Sequence, residues 1–175
     1  MRKLLAFLSA ACLFLSAVEY SIPKPLPFLR LGLANLPLVI ALHFLDAKNY
    51  LILIVLKILG QNLISGTLFS YVCVFSICGS FASGIGMLIL YKAFFRRGLI
   101  SNTGISIGGS LLNSLAQLAV ANLILFPGTD AAKFIAPVLL GSSLVTGILL
   151  GLFAEKFYSS SEFVRLVKSE RQVEK

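Results

Sequence analysis

The chain has 175 residues, of which 58% are hydrophobic and only 13% are charged, and its mean hydropathy is +0.95. Soluble globular proteins carry about a quarter charged residues, so this composition excludes an ordinary soluble fold and predicts one membrane-embedded domain. The net charge of +8 does not indicate a nucleic-acid partner, because the basic residues lie between apolar segments and not in one patch.

Six apolar segments follow one another along the chain. A transmembrane helix takes about 17–25 residues. We therefore predict an all-α integral membrane bundle of six transmembrane helices over residues 1–157, followed by a basic cytoplasmic tail over residues 158–175. The second segment is short and contains Pro37, so a kink or a break is expected there. In order, the segments are Leu4–Tyr20, Leu29–Leu45, Tyr50–Ile64, Tyr71–Phe94, Gly104–Phe126 and Ala132–Phe157.

The first segment begins with two basic residues and an apolar run, as a cleaved signal peptide does. Ser9–Cys12 even resembles a lipoprotein cleavage site. The apolar run before Cys12 is short, however, and it continues beyond that residue, so we predict an uncleaved span. Glu19, near the outer end of this span, is expected to anchor at the interface, to pair with a basic residue or to contact a ligand.

The connection from Ser21 to Arg30 contains three prolines within five positions. Proline fixes its own backbone and does not continue a helix, so this connection is predicted to be a stiff, extended loop. A stiff loop can act as a lid over a binding site with little ordering cost.

Lys57 stands alone in the apolar run Tyr50–Leu59. A lysine at the centre of a lipid-facing helix costs about 3 kcal/mol on insertion scales, so it is expected to face a bundle interior or a water-filled cavity. It could be the counter-ion of Glu19, contact a ligand, or extend its ammonium group to the membrane surface.

Polar side chains recur on the fifth segment with helical spacing and form one face. Amides and hydroxyls within a membrane need partners, which either other helices or a bound molecule can supply. We predict that Asn113 and Gln117 converge with Asn35 and Lys57 on a ligand-binding site in the outer half of the membrane, with Glu19 as a further candidate. The polar face comprises Ser106, Ser110, Asn113 or Ser114, and Gln117.

Small residues let helices approach closely within a membrane. The predicted positions of such packing are Gly79, Ser83, Gly147 and Gly151. Ala6 and Ala10 lie one helical turn apart on the first segment and leave a shallow groove. That groove could receive a helix of a partner protein, or it could pack against the glycines of the sixth segment.

The distribution of Lys and Arg predicts the orientation. With both termini inside, three basic residues lie outside (Lys24, Arg30 and Lys133) and eleven lie on the cytoplasmic side, which favours this topology. The eleven are Arg2, Lys3, Lys48, Lys92, Arg96, Arg97, Lys156, Arg165, Lys168, Arg171 and Lys175.

The sequence contains no arrangement typical of an enzyme. A prenyl transferase needs clustered aspartates to hold magnesium on a diphosphate, and the only aspartates, Asp46 and Asp130, are predicted on opposite sides of the membrane. The three cysteines lie within apolar stretches, and His43 lacks the neighbours of a metal site. We therefore expect no catalytic residue, no metal and no cofactor.

Four stretches carry a family resemblance: EYSIP from Glu19, LGLAN from Leu31, SICG from Ser76 with the following Ser83 and Met87, and GSLLNSLAQ from Gly109. They resemble small bacterial membrane proteins known as the heptaprenyl diphosphate synthase component I family, also called the Gx transporter family. The resemblance covers roughly residues 1–155. Its layout is similar to that of the substrate-capture subunits of energy-coupling-factor transporters. This likeness implies six helices, cytoplasmic termini, a capping first loop and an alanine-rich first helix that meets a transmembrane coupling protein.

The resemblance implies a non-enzymatic component of the cytoplasmic membrane that captures a small vitamin-like or precursor molecule for uptake. Its partners would be membrane lipid, a transmembrane coupling protein and ATPases. The alternative is a non-catalytic membrane subunit that works with a soluble prenyl transferase in polyprenyl or quinone biosynthesis. A structural scaffold without a ligand is the third class.

Overall fold

The computed structural model describes residues 2–22, 32–125, 127 and 131–159. These residues form helices, short 3₁₀ turns and loops, with no strand among them, so the all-α prediction is confirmed for this part of the chain. The elements are α1 (Arg2–Ser21), a 3₁₀ turn (Leu33–Asn35), α2 (Leu36–Ala41), α3 (Ala47–Ile64), α4 (Tyr71–Ala93), a second 3₁₀ turn (Phe95–Arg97), α5 (Asn102–Ile124) and α6 (Ala131–Ser159).

Five of these helices, α1, α3, α4, α5 and α6, are long and apolar enough to cross a membrane. This finding supports a multi-pass membrane protein. Serine side chains cap two of the helices: Ser70 accepts a hydrogen bond from the backbone N–H of Val72, and Ser101 accepts one from Gly104. Each cap satisfies an N–H group at a helix start that has no partner within the helix.

The second predicted span, Leu29–Leu45, is not a continuous helix in its described part. Gly32 adopts a left-handed conformation with φ +85°, and a 3₁₀ turn and the six-residue α2 follow it. Pro37 lies in the first turn of α2, where a missing N–H is tolerated, so helical structure begins after Gly32 and the proline does not interrupt it. A helix of six residues is about 9 Å long, far short of a hydrocarbon core of about 30 Å. The predicted count of six transmembrane helices is therefore not confirmed.

Consecutive elements nevertheless run in alternating directions. The segment after Gly32 runs back along α1, since the thiol of Cys12 donates to the carbonyl of Ala34 and the N–H of Gly32 donates to Glu19. Gly84 of α4 lies against Ile54 of α3. The close contacts between α4 and α5 and between α5 and α6 follow the same antiparallel order. The beginning of α1 and the end of α6 thus lie at one end of the bundle, and which side faces the cytoplasm stays a prediction.

The short α2 occupies the middle of the bundle, in contact with α1, α3, α5 and α6. Its inner side joins the main apolar core, in which Leu38, Tyr50 and Met87 are fully buried. Tyr50 donates its hydroxyl to the carbonyl of Gly84 at 3.2 Å, which satisfies a phenol buried between α3 and α4. Helix α6 continues to Ser159, so the predicted boundary of the tail falls within it. The rest of the tail, the proline-rich loop after Ile22 and Asp130 lie outside the described residues.

Candidate functional site

Lys57 lies near the middle of α3 and points into the bundle, where it is only 3% exposed. Its Nζ donates hydrogen bonds to the Oδ1 of Asn35 and, at 3.2 Å, to the Oγ of Ser80. The turn before α2 and the middle of α4 therefore supply acceptors for a buried ammonium group. This position excludes the alternative in which Lys57 extends to the membrane surface, because the side chain is enclosed by neighbouring elements.

Gly32 connects Asn35 with the end of α1. Its N–H donates to the Oε1 of Glu19 at 3.3 Å, and Glu19 is 1% exposed. A Cβ at this glycine would lie 3.0 Å from the Nδ2 of Asn35 and 3.9 Å from the Nδ2 of Asn113. The backbone turn at Gly32 therefore brings the carboxylate of α1, the asparagine before α2 and an amide of α5 into one neighbourhood.

The amides of α5 lie against Gly79 of α4. A Cβ at Gly79 would come within 2.5 Å of the Oδ1 of Asn113 and 3.3 Å of the Nε2 of Gln117. Both amide residues are buried. Gly79, predicted as a helix-packing position, thus leaves the space that these two side chains occupy. The whole polar face predicted on α5 is buried: Ser106, Ser110, Asn113, Ser114 and Gln117.

The structure therefore brings all five predicted ligand-site residues into one group, called here the polar cluster: Glu19, Asn35, Lys57, Asn113 and Gln117. Lys57 and Asn113 are each near the middle of a spanning helix, whereas Glu19 and Gln117 lie closer to the end at which α1 finishes. The cluster thus extends from mid-membrane toward the end of the bundle predicted to be outside. The loop predicted to cover it, residues 23–31, lies outside the described residues.

Some buried polar atoms in the cluster and on the adjacent face of α4 have no hydrogen-bond partner among the described residues. They are the Nδ2 of Asn35 and the hydroxyls of Ser76 and Ser83 on α4. A buried polar group without a partner costs about 1–3 kcal/mol, and such groups in native proteins are usually satisfied by water or a ligand. An ammonium group, amide N–H groups and hydroxyls in one place can bind a carboxylate, a phosphate or a carbonyl oxygen.

Ser80 was not among the predicted site residues, although it contacts Lys57 directly. The signal was present, because Ser76, Ser80 and Ser83 recur at helical spacing on α4 and all three are buried. Small residues at the same spacing also favour helix packing, and from the sequence we predict packing, not a binding site, for the small residues of α4. Hydroxyl spacing on α4 would have identified Ser80 as a candidate site residue, but not its contact with Lys57.

Gly147 and Gly151 lie against α5. A Cβ on Gly147 would come within 2.8 Å of the Cα of Ile107, and one on Gly151 within 2.5 Å of the Cα of Thr103. Ala6 and Ala10 are exposed on α1. The alternative in which Ala6 and Ala10 pack against these glycines is therefore wrong, because the glycines already face another helix.

No group of three His, Cys, Asp or Glu side chains that could hold a metal ion occurs in the described part of the chain. Asp46 is exposed at the position that precedes α3.

The family model described as heptaprenyl diphosphate synthase component I matches residues 8–157. The chain belongs to the heptaprenyl diphosphate synthase component I family. This membership confirms the resemblance, and the matched range contains every residue of the polar cluster. No curated protein and no solved structure matches the chain.

Proposed function

We propose that this member of the heptaprenyl diphosphate synthase component I family captures a small anionic or carbonyl-bearing molecule in its polar cluster, as the substrate-binding component of a transporter in the cytoplasmic membrane. The observation that supports the proposal is the buried Lys57 ammonium, held by Asn35 and Ser80 beside the amides of α5. Ionisable residues inside a membrane bundle are expensive, and they commonly mark the path or the site of a substrate. The protein itself would perform no bond chemistry, and ATPases recruited through a transmembrane coupling protein would supply the energy.

The chemistry of the cluster limits the ligand. Lys57 carries N–H donors, the Nδ2 of Asn35 has no hydrogen-bond partner among the described residues, and the amides of Asn113 and Gln117 carry both donors and acceptors. The surroundings of these groups are apolar helix faces, so only a few polar contacts would orient the ligand. A vitamin-like or precursor molecule with one acidic group and an apolar body fits this description.

The test is native mass spectrometry of the protein purified from its own membranes, followed by binding measurements with whatever small molecule is retained. Lys57→Met should weaken binding by at least about thirty-fold, since loss of one partner of a buried charged contact costs about 2–5 kcal/mol. Lys92→Met, a matched change at an exposed lysine of α4, should bind normally. Normal binding by a folded Lys57→Met protein would refute the assignment of the site.

The second candidate is a non-catalytic membrane subunit of a prenyl diphosphate synthase, which the description of the family favours. Co-purification separates the two functions. A transporter component should bring a coupling protein and ATPases, whereas a synthase subunit should bring a soluble prenyl transferase. In either case the purified chain alone should not elongate allylic diphosphates, and magnesium-dependent product free of contaminating synthase would contradict the non-enzymatic proposal.

A further inference from the structure

An apolar groove runs along the side of the bundle between α1 and α6. It has a volume of about 420 Å³, and all the side chains that line it in the described part of the chain are apolar. Phe7, Ala11 and Leu15 form the α1 wall, and Leu150, Phe153 and Phe157 form the α6 wall. The groove exists because α2, which lies between these helices, is only six residues long and fills only part of the space.

We propose that this groove holds one hydrocarbon chain of an anionic membrane phospholipid. Both walls belong to helices long and apolar enough to cross a membrane, so the groove opens toward lipid. Side chains around an empty groove would lose their dispersion contacts on one side. At this depth the surrounding medium is hydrocarbon, and a lipid chain supplies those contacts without burying any polar group.

The length of the groove favours a single lipid chain over a spanning helix of another protein. From Leu15 to Phe7 the α1 wall extends over eight residues, or about 12 Å. One leaflet contributes about half of a hydrocarbon core of about 30 Å, so the groove is nearly as long as one lipid chain and less than half as long as a spanning helix.

Two exposed lysines at one end of the groove favour a lipid with an anionic head group. Lys3 lies one helical turn before Phe7 on α1, and Lys156 lies three residues after Phe153 on α6. Clustered lysines near a membrane surface attract anionic lipids, so a phosphate head group at this end with its chain in the groove matches both charge and polarity.

The floor of the groove connects a bound lipid chain with the polar cluster through the α2 segment. Leu33, Leu36 and Ile40 lie on the face of the α2 segment that lines the groove. Asn35 lies on the buried side of the same segment, in contact with Lys57. A chain in the groove would therefore press the short α2 against the polar cluster. The proposal does not depend on what the cluster binds.

The experiment uses purified protein reconstituted in vesicles of equal parts phosphatidylglycerol and phosphatidylcholine, extracted gently and examined by native mass spectrometry. The expected result is one retained phosphatidylglycerol per chain. Ala11→Trp fills the groove and should abolish retention of phosphatidylglycerol. Ala10→Trp changes an exposed neighbour outside the groove and should leave retention unchanged. The double variant Lys3→Gln and Lys156→Gln should retain phosphatidylglycerol and phosphatidylcholine in equal amounts.

Retention of phosphatidylglycerol by Ala11→Trp at the level of the unmodified protein would overturn the proposal. So would equal retention of both lipids by the unmodified protein, or no retained lipid. If Ala11→Trp does not fold, the unmodified protein is labelled instead with phosphatidylglycerol that carries a photoreactive group in its hydrocarbon chain. Labelling concentrated on the peptides of Phe7 and Phe153 supports the groove. Equal labelling of the exposed face of α4, which carries Ile85 and Ile89, refutes it.

Discussion

Replacing Gly151 by alanine tests how closely α5 and α6 are packed. A Cβ at this position would lie 2.5 Å from the backbone Cα of Thr103, and ordinary van der Waals contact begins near 3.4 Å. The two helices would have to separate by about 1 Å, and a gap of that size forfeits a quarter to a half of each contact's dispersion energy. Overpacking costs about 1–3 kcal/mol, and a clash with backbone belongs to the upper part of that range, about 2–3 kcal/mol. Alanine returns up to about 1 kcal/mol of helix propensity, so we expect a net loss of about 1–2 kcal/mol.

Thermal unfolding in detergent measures this loss. The chain contains no Trp, but Cys12 is fully buried, so a dye that becomes fluorescent on reaction with thiols reports unfolding. For a chain of this size the expected drop in Tm is about 2–8 °C. Gly141→Ala is the matched control, because it lies on the same helix and its Cβ would meet nothing within 4 Å. Equal Tm values for Gly151→Ala and Gly141→Ala would refute the reasoning.

Three further changes test other parts of the molecule. Gly32→Ala places a side chain at φ +85° and against Asn35, so Tm should fall and binding at the polar cluster should weaken; unchanged values would contradict the role of this turn. Ala10→Trp should abolish co-purification of a transmembrane partner without changing Tm, because Ala10 is exposed; co-purification at the level of the unmodified protein would contradict docking through this face. Burial among Tyr91, Phe95 and Tyr158 lowers the pKa of His43 below its usual 6.5. The unfolded chain then binds more protons, so the contribution of neutral His43 to stability is complete above about pH 6.5 and is lost as pH falls through the lowered pKa. The Tm of the unmodified protein should accordingly decline more on acidification than that of His43→Phe, and identical declines would contradict this.

The spanning helices were predictable because long apolar segments have few alternatives in a membrane. The fourth segment, predicted as Tyr71–Phe94, is α4 from Tyr71 to Ala93. The second segment was predicted as a spanning helix because hydropathy depends on the side chains and carries no information about the backbone conformation. Gly32 is left-handed, so the helical turns after it do not extend back through this residue, and a single sequence does not show which conformation a glycine adopts.

The composition of the polar cluster was predictable for a similar reason, since polar side chains in a membrane bundle turn toward one another. The pairing was not predictable. Contact between Lys57 and Ser80 depends on the rotation of α3 against α4, which many apolar contacts set together. The role of Gly79 is equally hidden, because its effect is the space that it leaves for Asn113 and Gln117.

The shortness of α2 also has a consequence for how the protein is made. A segment of six helical residues is too short to be inserted as an independent span, whereas the helices before and after it are long enough. We expect helix α2 to reach its position when neighbouring spans assemble around it inside the membrane, the second stage of helical membrane protein folding. Asn35 and Lys57 would then meet only after α3 and its neighbours are in place, and the formation of the polar cluster would report that the bundle is complete.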